Sequence, residues 1–292
     1  MPLSAPSPAD RPIGVLDSGV GGLSVLREMR ALLPAEHVIY LADQGHVPYG
    51  PRSIEEVRAF TVETARFLIE QDAKLVVVAC NAASAAALYH LRERFPEMPF
   101  VGMEPAVKPA ARDTKTGVIG VIATEATFQG ELYASVVGRF AQEVRVETRA
   151  CPEFVRLAEA GETNTPAARV AVQRCLAPLL EAGIDQLVLG CTHFPFLKDA
   201  IQAEIGPGVT IVDPSPAVAR QVGRVLAERA LLTDSADPAH VIYYTSGDPA
   251  AFRTTLGALL GAEIAVPADV RAARWTENNA RLTAARVRAD KP

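Results

Sequence analysis

Two cysteines stand where apolar runs break off into polar residues: Cys80 in "VVVACNAASAA", ahead of Asn81, and Cys191 in "LVLGCTHFPFL", ahead of Thr192 and His193. Each run reads as a buried strand, and a helical pattern follows each cysteine. Backbone N–H groups at a helix N-terminus stabilise a thiolate, which lowers the thiol pKa and makes it usable as a base. A free cysteine is more often a small buried hydrophobe. That reading suits Cys175 in "AVQRCLAPLL" and Cys151 just before Pro152. For Cys80 and Cys191 the polar neighbours favour chemistry, and His193 is placed to act as an acid/base partner or to tune the thiol.

The first apolar run delivers Asp17 into the glycine-rich "DSGVGG". Those glycines allow a tight turn and offer N–H groups where a helix starts, a setting that suits an anion. No Gly-Lys-Ser/Thr follows, so this is not a Walker loop, and Ser24 fills the place of the third glycine in a dinucleotide fingerprint. Asp17 either caps the turn or acts beside Cys80. In "ADQGHVPYGPRS" the loop follows a strand end, so Tyr49 and Gly50 are placed to line a cleft, while His46 and Arg52 read as surface residues. Glu159 in "CPEFVRLAEAG" reads as a solvated helix residue. A zinc site from Cys80, Cys151, Cys191 and His193 would lack the local Cys-x-x-Cys pairs such sites use. None of Lys74, Lys108, Lys115, Lys198 or Lys291 sits where a pyridoxal phosphate lysine would. No metal and no cofactor are expected.

The elements that must position these residues alternate. Strand-length runs ("PIGVLD", "HVIYLAD", "KLVVVAC", "FVGME", "GVIGVIAT", "VRVETRA", "QLVLGC", "VTIVD", "HVIYYTS") are separated by helical patterns such as "SIEEVRAFTVETARFLIEQ". Such alternation predicts an α/β protein whose mostly parallel sheets are covered on both faces. The stretch from Ser53 to Cys80 aligns without a gap on that from Asn164 to Cys191, sharing Arg58/Arg169, Leu68/Leu179 and Glu70/Glu181. Asp17 precedes Cys80 by nearly the distance at which Thr124 precedes Cys191. The chain therefore reads as two pseudo-symmetric α/β domains, each with one cysteine at an equivalent strand end. Ligands bind beyond the carboxyl ends of parallel strands, which puts the site in the cleft between the domains. The expected division is a disordered lead-in over 1–11, a first domain of 12–100 plus 214–292, and a second of 101–213. The terminal "RAARWTENNARLTAARVRADKP" reads as a helix fraying into a polar tail.

A net charge of −5 without any Lys/Arg-rich run argues against nucleic acid as the main partner. No apolar stretch approaches the roughly 18 residues of a membrane span, and the Pro/Ser/Ala-rich start is no signal peptide. Four cysteines without close pairing fit a reducing cytoplasm better than a disulfide framework.

Together "LDSGVGGLSVLREM", "VPYGPRS", "VVVACNAASAAAL", "CPEFVRLAEAG", "LVLGCTHFPFL" and "YYTSGD", in order from Ile13 to Gly247, resemble the glutamate racemases of the cofactor-independent aspartate/glutamate racemase superfamily. The resemblance implies a two-domain α/β fold with the active site between domains, and a two-base mechanism. One cysteine thiolate removes the α-proton of glutamate while the other thiol delivers a proton to the opposite face. By motif, Cys80 would act on D-glutamate with help from Asp17, and Cys191 on L-glutamate with help from His193 and Glu159. Substrate contacts would come from Asp17, Ser18, Tyr49, Gly50, Asn81, Ala82, Thr192 and His193. The product would supply peptidoglycan synthesis.

The sequence departs from the family pattern at Ala82, where threonine is usual, and in "DQGHVPYG" ahead of Pro48. The expected partners are L-/D-glutamate and a second copy of the chain in a homodimer. Three alternatives carry their own signatures: an aspartate racemase of the same superfamily, a nucleotide-binding oxidoreductase using "GVGGLS" with Asp43, and a zinc-binding regulator.

Overall fold

The computed structural model describes residues 7–235, 239–261 and 268–285. All nine apolar runs form strands: β1 (Ile13–Asp17), β2 (Val38–Ala42), β3 (Leu75–Val78), β4 (Phe100–Gly102), β5 (Val118–Ala123), β6 (Arg145–Ala150), β7 (Gln186–Leu189), β8 (Thr210–Val212) and β9 (Val241–Thr245). Between them lie α1 (Leu23–Leu32), α2 (Ile54–Glu70) and α3 (Asn81–Arg94), then α4 (Val107–Asp113), α5 (Glu125–Gln129) and α6 (Glu131–Phe140). They are followed by α7 (Pro152–Glu159), α8 (Pro166–Glu181), α9 (Lys198–Ile205), α10 (Ser215–Glu228) and α11 (Pro249–Leu260). Helix α2 shows how the sequence sets a boundary. Ser53 and Glu56 cap each other's backbone N–H groups in a capping box, and Val57, Phe60, Phe67 and Leu68 then fall on one buried face.

Two mostly parallel sheets result. The larger runs in the order β11-β10-β9-β2-β1-β3-β4, where β10 (Asp269–Trp275) and β11 (Leu282–Ala284) come from the C-terminal stretch. The smaller runs β6-β5-β7-β8. The order β2-β1-β3-β4 is repeated in β6-β5-β7-β8, with α2 leading into β3 as α8 leads into β7, so the internal alignment marks a repeated α/β unit. In β1–β3 the register Leu16↔Val78 brings Asp17 and Cys80 to the same sheet edge. The register Ile122↔Leu189 does the same for Thr124 and Cys191 in the smaller sheet.

Alternation along the strands divides the core. Leu16, Leu41, Val76 and Val78 pack under α2 and α3 with Phe60, Phe67 and Leu88. Their strand neighbours Val15, Tyr40, Leu75 and Val77 pack on the other face with Leu26, Met29, Val222 and Phe252 of α1, α10 and α11. The smaller sheet repeats this, with Ile122, Leu187 and Leu189 facing α7 and α8, and Ile119, Val121 and Val188 facing α4 and α6.

Three expectations are corrected. The C-terminal stretch is not a helix: β10 pairs parallel with β9 and antiparallel with β11. Its alanines and arginines favour helix locally, but an open sheet edge and the burial of Ala273 and Leu282 override that preference; residues 286–292 lie outside the described residues. The lead-in is not disordered throughout. Pro8–Asp10 form a 3-10 turn capped by Ser7, Lys74 donates to the Ala9 carbonyl, and Arg11 pairs with Asp72 at 3.2 Å. Residues 1–6 of the lead-in lie outside the described residues. Finally, Cys151 and Cys175 are joined in a disulfide. Cys151 caps the start of α7 and Cys175 sits on α8 packed beside it, so the fold brings together two thiols that are far apart in the sequence.

Candidate active site

Cys80 and Cys191 are the free cysteines among the described residues, both buried, and both line one cavity. Ser18, Pro48, Tyr49, Gly50, Asn81 and Ala82 from the larger-sheet half share that cavity with Thr124, Val155 and His193 from the smaller. Its volume of about 20 Å³ is room for roughly one water molecule. A wider groove of about 610 Å³ beyond α1, lined by Arg30 and Tyr243 among others, contains none of this polar cluster.

Cys80 is the N-cap of α3, and its sulfur accepts from the Ala83 N–H at 3.5 Å while lying 3.8 Å from the Ser18 hydroxyl. The helix contact favours a thiolate, as the sequence suggests, but burial and the neighbouring Asp17 carboxylate outweigh it. They push the thiol up to about 12, so at neutral pH Cys80 holds its proton. Asp17 accepts the Gly19 N–H at 2.8 Å. Burial raises its carboxyl above the ordinary range, tempered by His193 and the Gly19 N–H.

Cys191 is not followed by an α-helix N-terminus. Phe194–Leu197 form a 3-10 turn before α9, and the neighbour that matters is His193. Its Nδ1 lies 3.6 Å from the Cys191 sulfur and its Nε2 lies 2.7 Å from Glu159 Oε1. Burial alone would lower the imidazole, yet the bonds to Cys191 and Glu159 raise it well above its usual value. Glu159 also accepts the Val20 N–H at 2.8 Å and the Gln44 amide at 3.1 Å. Burial opposes its charge, but His193, Val20 and Gln44 together hold the carboxyl below its normal range. An imidazolium–carboxylate pair thus backs one thiol, and a proton-hungry Asp17 backs the other.

This arrangement changes the meaning of the glycine loop. A Cβ at Gly19 would lie 1.9 Å from Glu159 Oε1, and one at Gly21 would lie 2.5 Å from His193 Nδ1. The loop is bare because the other half of the molecule presses on it, and the anion its Val20 N–H holds is the Glu159 carboxylate. Thr192 donates toward Asp17 at 3.5 Å, and its carbonyl accepts from Ser24 at 2.9 Å, so it fastens the halves together from behind the cavity.

The Asp/Glu/hydantoin racemase family matches residues 13–222. A glutamate racemase of Herpetosiphon aurantiacus is 51% identical over 83% of the chain and 95% of its own length. The chain belongs to the Asp/Glu/hydantoin racemase family. The solved glutamate racemase of Thermus thermophilus in complex with β-chloro-D-alanine superposes with a TM-score of 0.79 at 38% identity, covering 93% of this chain and 99% of that one. That of Escherichia coli, in complex with L-glutamate, gives 0.78 at 34% identity over 94% and 100%.

Within this racemase framework, Asp17, Ser18, Tyr49, Gly50, Cys80, Asn81, Ala82, Cys191, Thr192 and His193 all gather at or just behind the cavity. Glu159 is no solvated residue, as its bonds to His193, Val20 and Gln44 show. His46 leaves the surface as well: it is buried, bonds Asp43 at 3.0 Å and stacks on Phe60 at 3.9 Å. Arg52 is half-buried and braces the same loop through the His46 carbonyl at 2.7 Å.

Asp43 cannot serve a ribose. Its oxygens accept Tyr49 at 2.7 Å, Ser246 at 2.6 Å and the Trp275 indole at 2.7 Å, which fixes the Tyr49 ring at the cavity wall. Cys151 is committed to Cys175, and among the described residues no three His, Cys, Asp or Glu side chains could share a metal ion. Gln44, Thr124 and Val155 escape sequence reasoning as site residues. The one available signal is the alignment that puts Thr124 opposite Asp17.

Proposed function

We infer that the protein is a glutamate racemase that interconverts L- and D-glutamate without a cofactor. Membership of the racemase family and the identity of the relatives support the reaction. The observation that carries the mechanism is a pair of free thiols, one from each repeated unit, lining one small cavity.

From L-glutamate, Cys191 takes the α-proton as thiolate, and the His193–Glu159 pair holds the charge of the site steady as that proton moves. Cys80, which keeps its proton at neutral pH, delivers it to the other face of the α-carbon. The products are D-glutamate, a Cys191 thiol and a Cys80 thiolate. From D-glutamate the roles reverse, and Asp17 is the group placed to take the proton from Cys80. No electrons change hands and no group leaves.

The Asn81 amide is buried at the cavity with neither its nitrogen nor its oxygen bonded to protein. An orphaned buried amide costs stability, so Asn81 is the docking point we assign to the substrate's charged groups, with Ser18, Tyr49, Gly50, Ala82 and Thr192 around it. Ala82 offers no hydroxyl, and one substrate hydrogen bond of about 0.5–1.5 kcal/mol is forgone there. A cavity of about 20 Å³ does not admit glutamate, so the halves must part and reclose in each turnover.

We place the moving parts in residues 12–100 plus 214–292 and residues 101–213, a division whose first crossing falls within β4 (Phe100–Gly102). D-glutamate made this way would feed peptidoglycan synthesis in the cytoplasm, and a homodimer is the proposed assembly, to be read by light scattering. Among the described residues no helix is long and apolar enough to cross a membrane.

The test is optical rotation of L-glutamate and L-aspartate solutions in parallel, with reduced protein and no additive. Rotation falling to zero with glutamate supports the reading. Loss with aspartate alone would keep the chemistry and change the substrate, and no loss with either would end it.

A further inference from the structure

Gln44 belongs to the "DQGHVPYG" stretch that departs from the family pattern, and each end of its amide makes a contact. Its Nε2 donates to Glu159 Oε2 at 3.1 Å, from the larger-sheet half to the smaller. Its Oε1 accepts from Thr245 Oγ1 at 3.0 Å at the end of β9, and the same hydroxyl oxygen accepts the Gly247 N–H at 3.0 Å. The turn is built around this side chain: a Cβ at Gly247 would lie 2.9 Å from the Gln44 Cβ. The other Glu159 oxygen is taken by Val20 N–H and His193 Nε2. Gln44 is therefore the donor that satisfies the remaining oxygen, and it is fixed by a strand before it does so.

We propose that Gln44 is a positioning residue for racemisation, a latch that engages Glu159 when the two halves close and so fixes the carboxylate behind His193 and Cys191. Resting on the racemase reading above, this assigns to Gln44 the coupling between closure and chemistry. In the closed form the amide strengthens Glu159 as an anion, and Glu159 keeps His193 protonated opposite Cys191. When the halves part, the bonds from Gln44 and Val20 break together and Glu159 returns to water. The groups that face Glu159 are His193 beyond β7, Asp17 at the end of β1 and Tyr40 on β2, with Cys191 behind His193. Of these only His193 is a cation, so Glu159 relies on Gln44 and the Val20 N–H for its other support.

The experiment is the pH profile of kcat/KM for wild type, Gln44→Met, Gln44→Glu and Thr245→Val, with thermal melts to show that each is folded. Enantiomers have equal free energy in water, so kcat/KM is the same from either side and one direction suffices. Methionine keeps the length of the side chain and loses the donor. The acid limb is expected to move up by about one pH unit, with activity below it down about tenfold, because Glu159 takes a proton more readily. Glutamate sets two carboxyl groups side by side and moves the limb further. Thr245→Val frees only the far end of the amide and moves it in the same direction by less.

A limb that stays at its wild-type position in the folded variants, whatever happens to kcat, overturns the latch. If Gln44→Met does not fold, the limb of Thr245→Val alone decides between the two outcomes. A wild-type protein that racemises while the variants keep its limb sinks only this inference. A wild-type protein that does not racemise sinks the reading beneath it.

Discussion

The chemistry rests on a few side chains whose states are set by burial and by one another. Cys80→Ser or Cys191→Ser is expected to lower turnover by roughly 10²–10⁴-fold, the usual worth of a positioned acid/base group, read in a coupled assay for the product enantiomer. Near-normal turnover in either variant would refute the two-thiol mechanism. Glu159→Gln breaks a buried ion pair and is expected to cost about 3 kcal/mol of stability, measured by urea unfolding across pH. The sign follows from two shifts. Glu159 is held below its reference value of 4.5, so its contribution is present above that pH and is lost as pH falls through the folded value. His193 is raised above 6.5, so its contribution is complete below that pH and is lost as pH rises through the folded value. The deficit of the variant should be widest from about pH 4.5 to 6.5 and shrink on either side. The thiols, Asp17 and His193 are legible in the sequence because each stands at the end of an apolar run. Glu159 is legible only through resemblance: its partner Val20 is 139 residues away, and no local pattern reports such a meeting.

Strand ends and one bare loop carry the site at the level of elements. Gly19 and Gly21 leave room for Glu159 and His193, so Gly19→Ala or Gly21→Ala should force the halves apart where a Cβ would otherwise overlap. A misplacement of this kind costs about 100-fold in kcat/KM, and a variant with wild-type kinetics would show that closure is not needed. By sequence alone these glycines serve a turn and an anionic ligand, because the opposing wall leaves no trace in the local pattern. Strands β1 to β9 are legible because buried parallel strands are continuous apolar runs. Strand β10 is not, since "DVRAARW" mixes arginine and alanine and becomes a strand only by pairing with β9. The Trp275 indole then reaches Asp43 and stiffens the Tyr49 loop, so the C-terminal stretch reaches the site from a distance.

At the scale of the whole molecule, a repeated unit gives two sheets with matching strand orders, and their carboxyl edges face across one cavity. The Cys151–Cys175 bond ties α7 to α8 in the half that supplies Glu159. Cys175→Ser, or addition of a dithiol, is expected to lower unfolding stability by about 3 kcal/mol through the entropy of the open chain. Identical urea midpoints with and without the dithiol would show that the bond does not persist in solution. This pair is illegible in the sequence because its spacing fits no local framework.

The central claim is that two thiols act on opposite faces of one carbon, and incubation of L-glutamate in D₂O over the first few per cent of turnover, followed by chiral separation of the enantiomers and proton NMR of each, tests it directly. The account predicts deuterium at the α-carbon of newly formed D-glutamate, delivered from an exchanged Cys80, while the remaining L-glutamate keeps its proton. Deuterium entering L-glutamate as fast as D-glutamate forms would mean that one group serves both faces, and would contradict it.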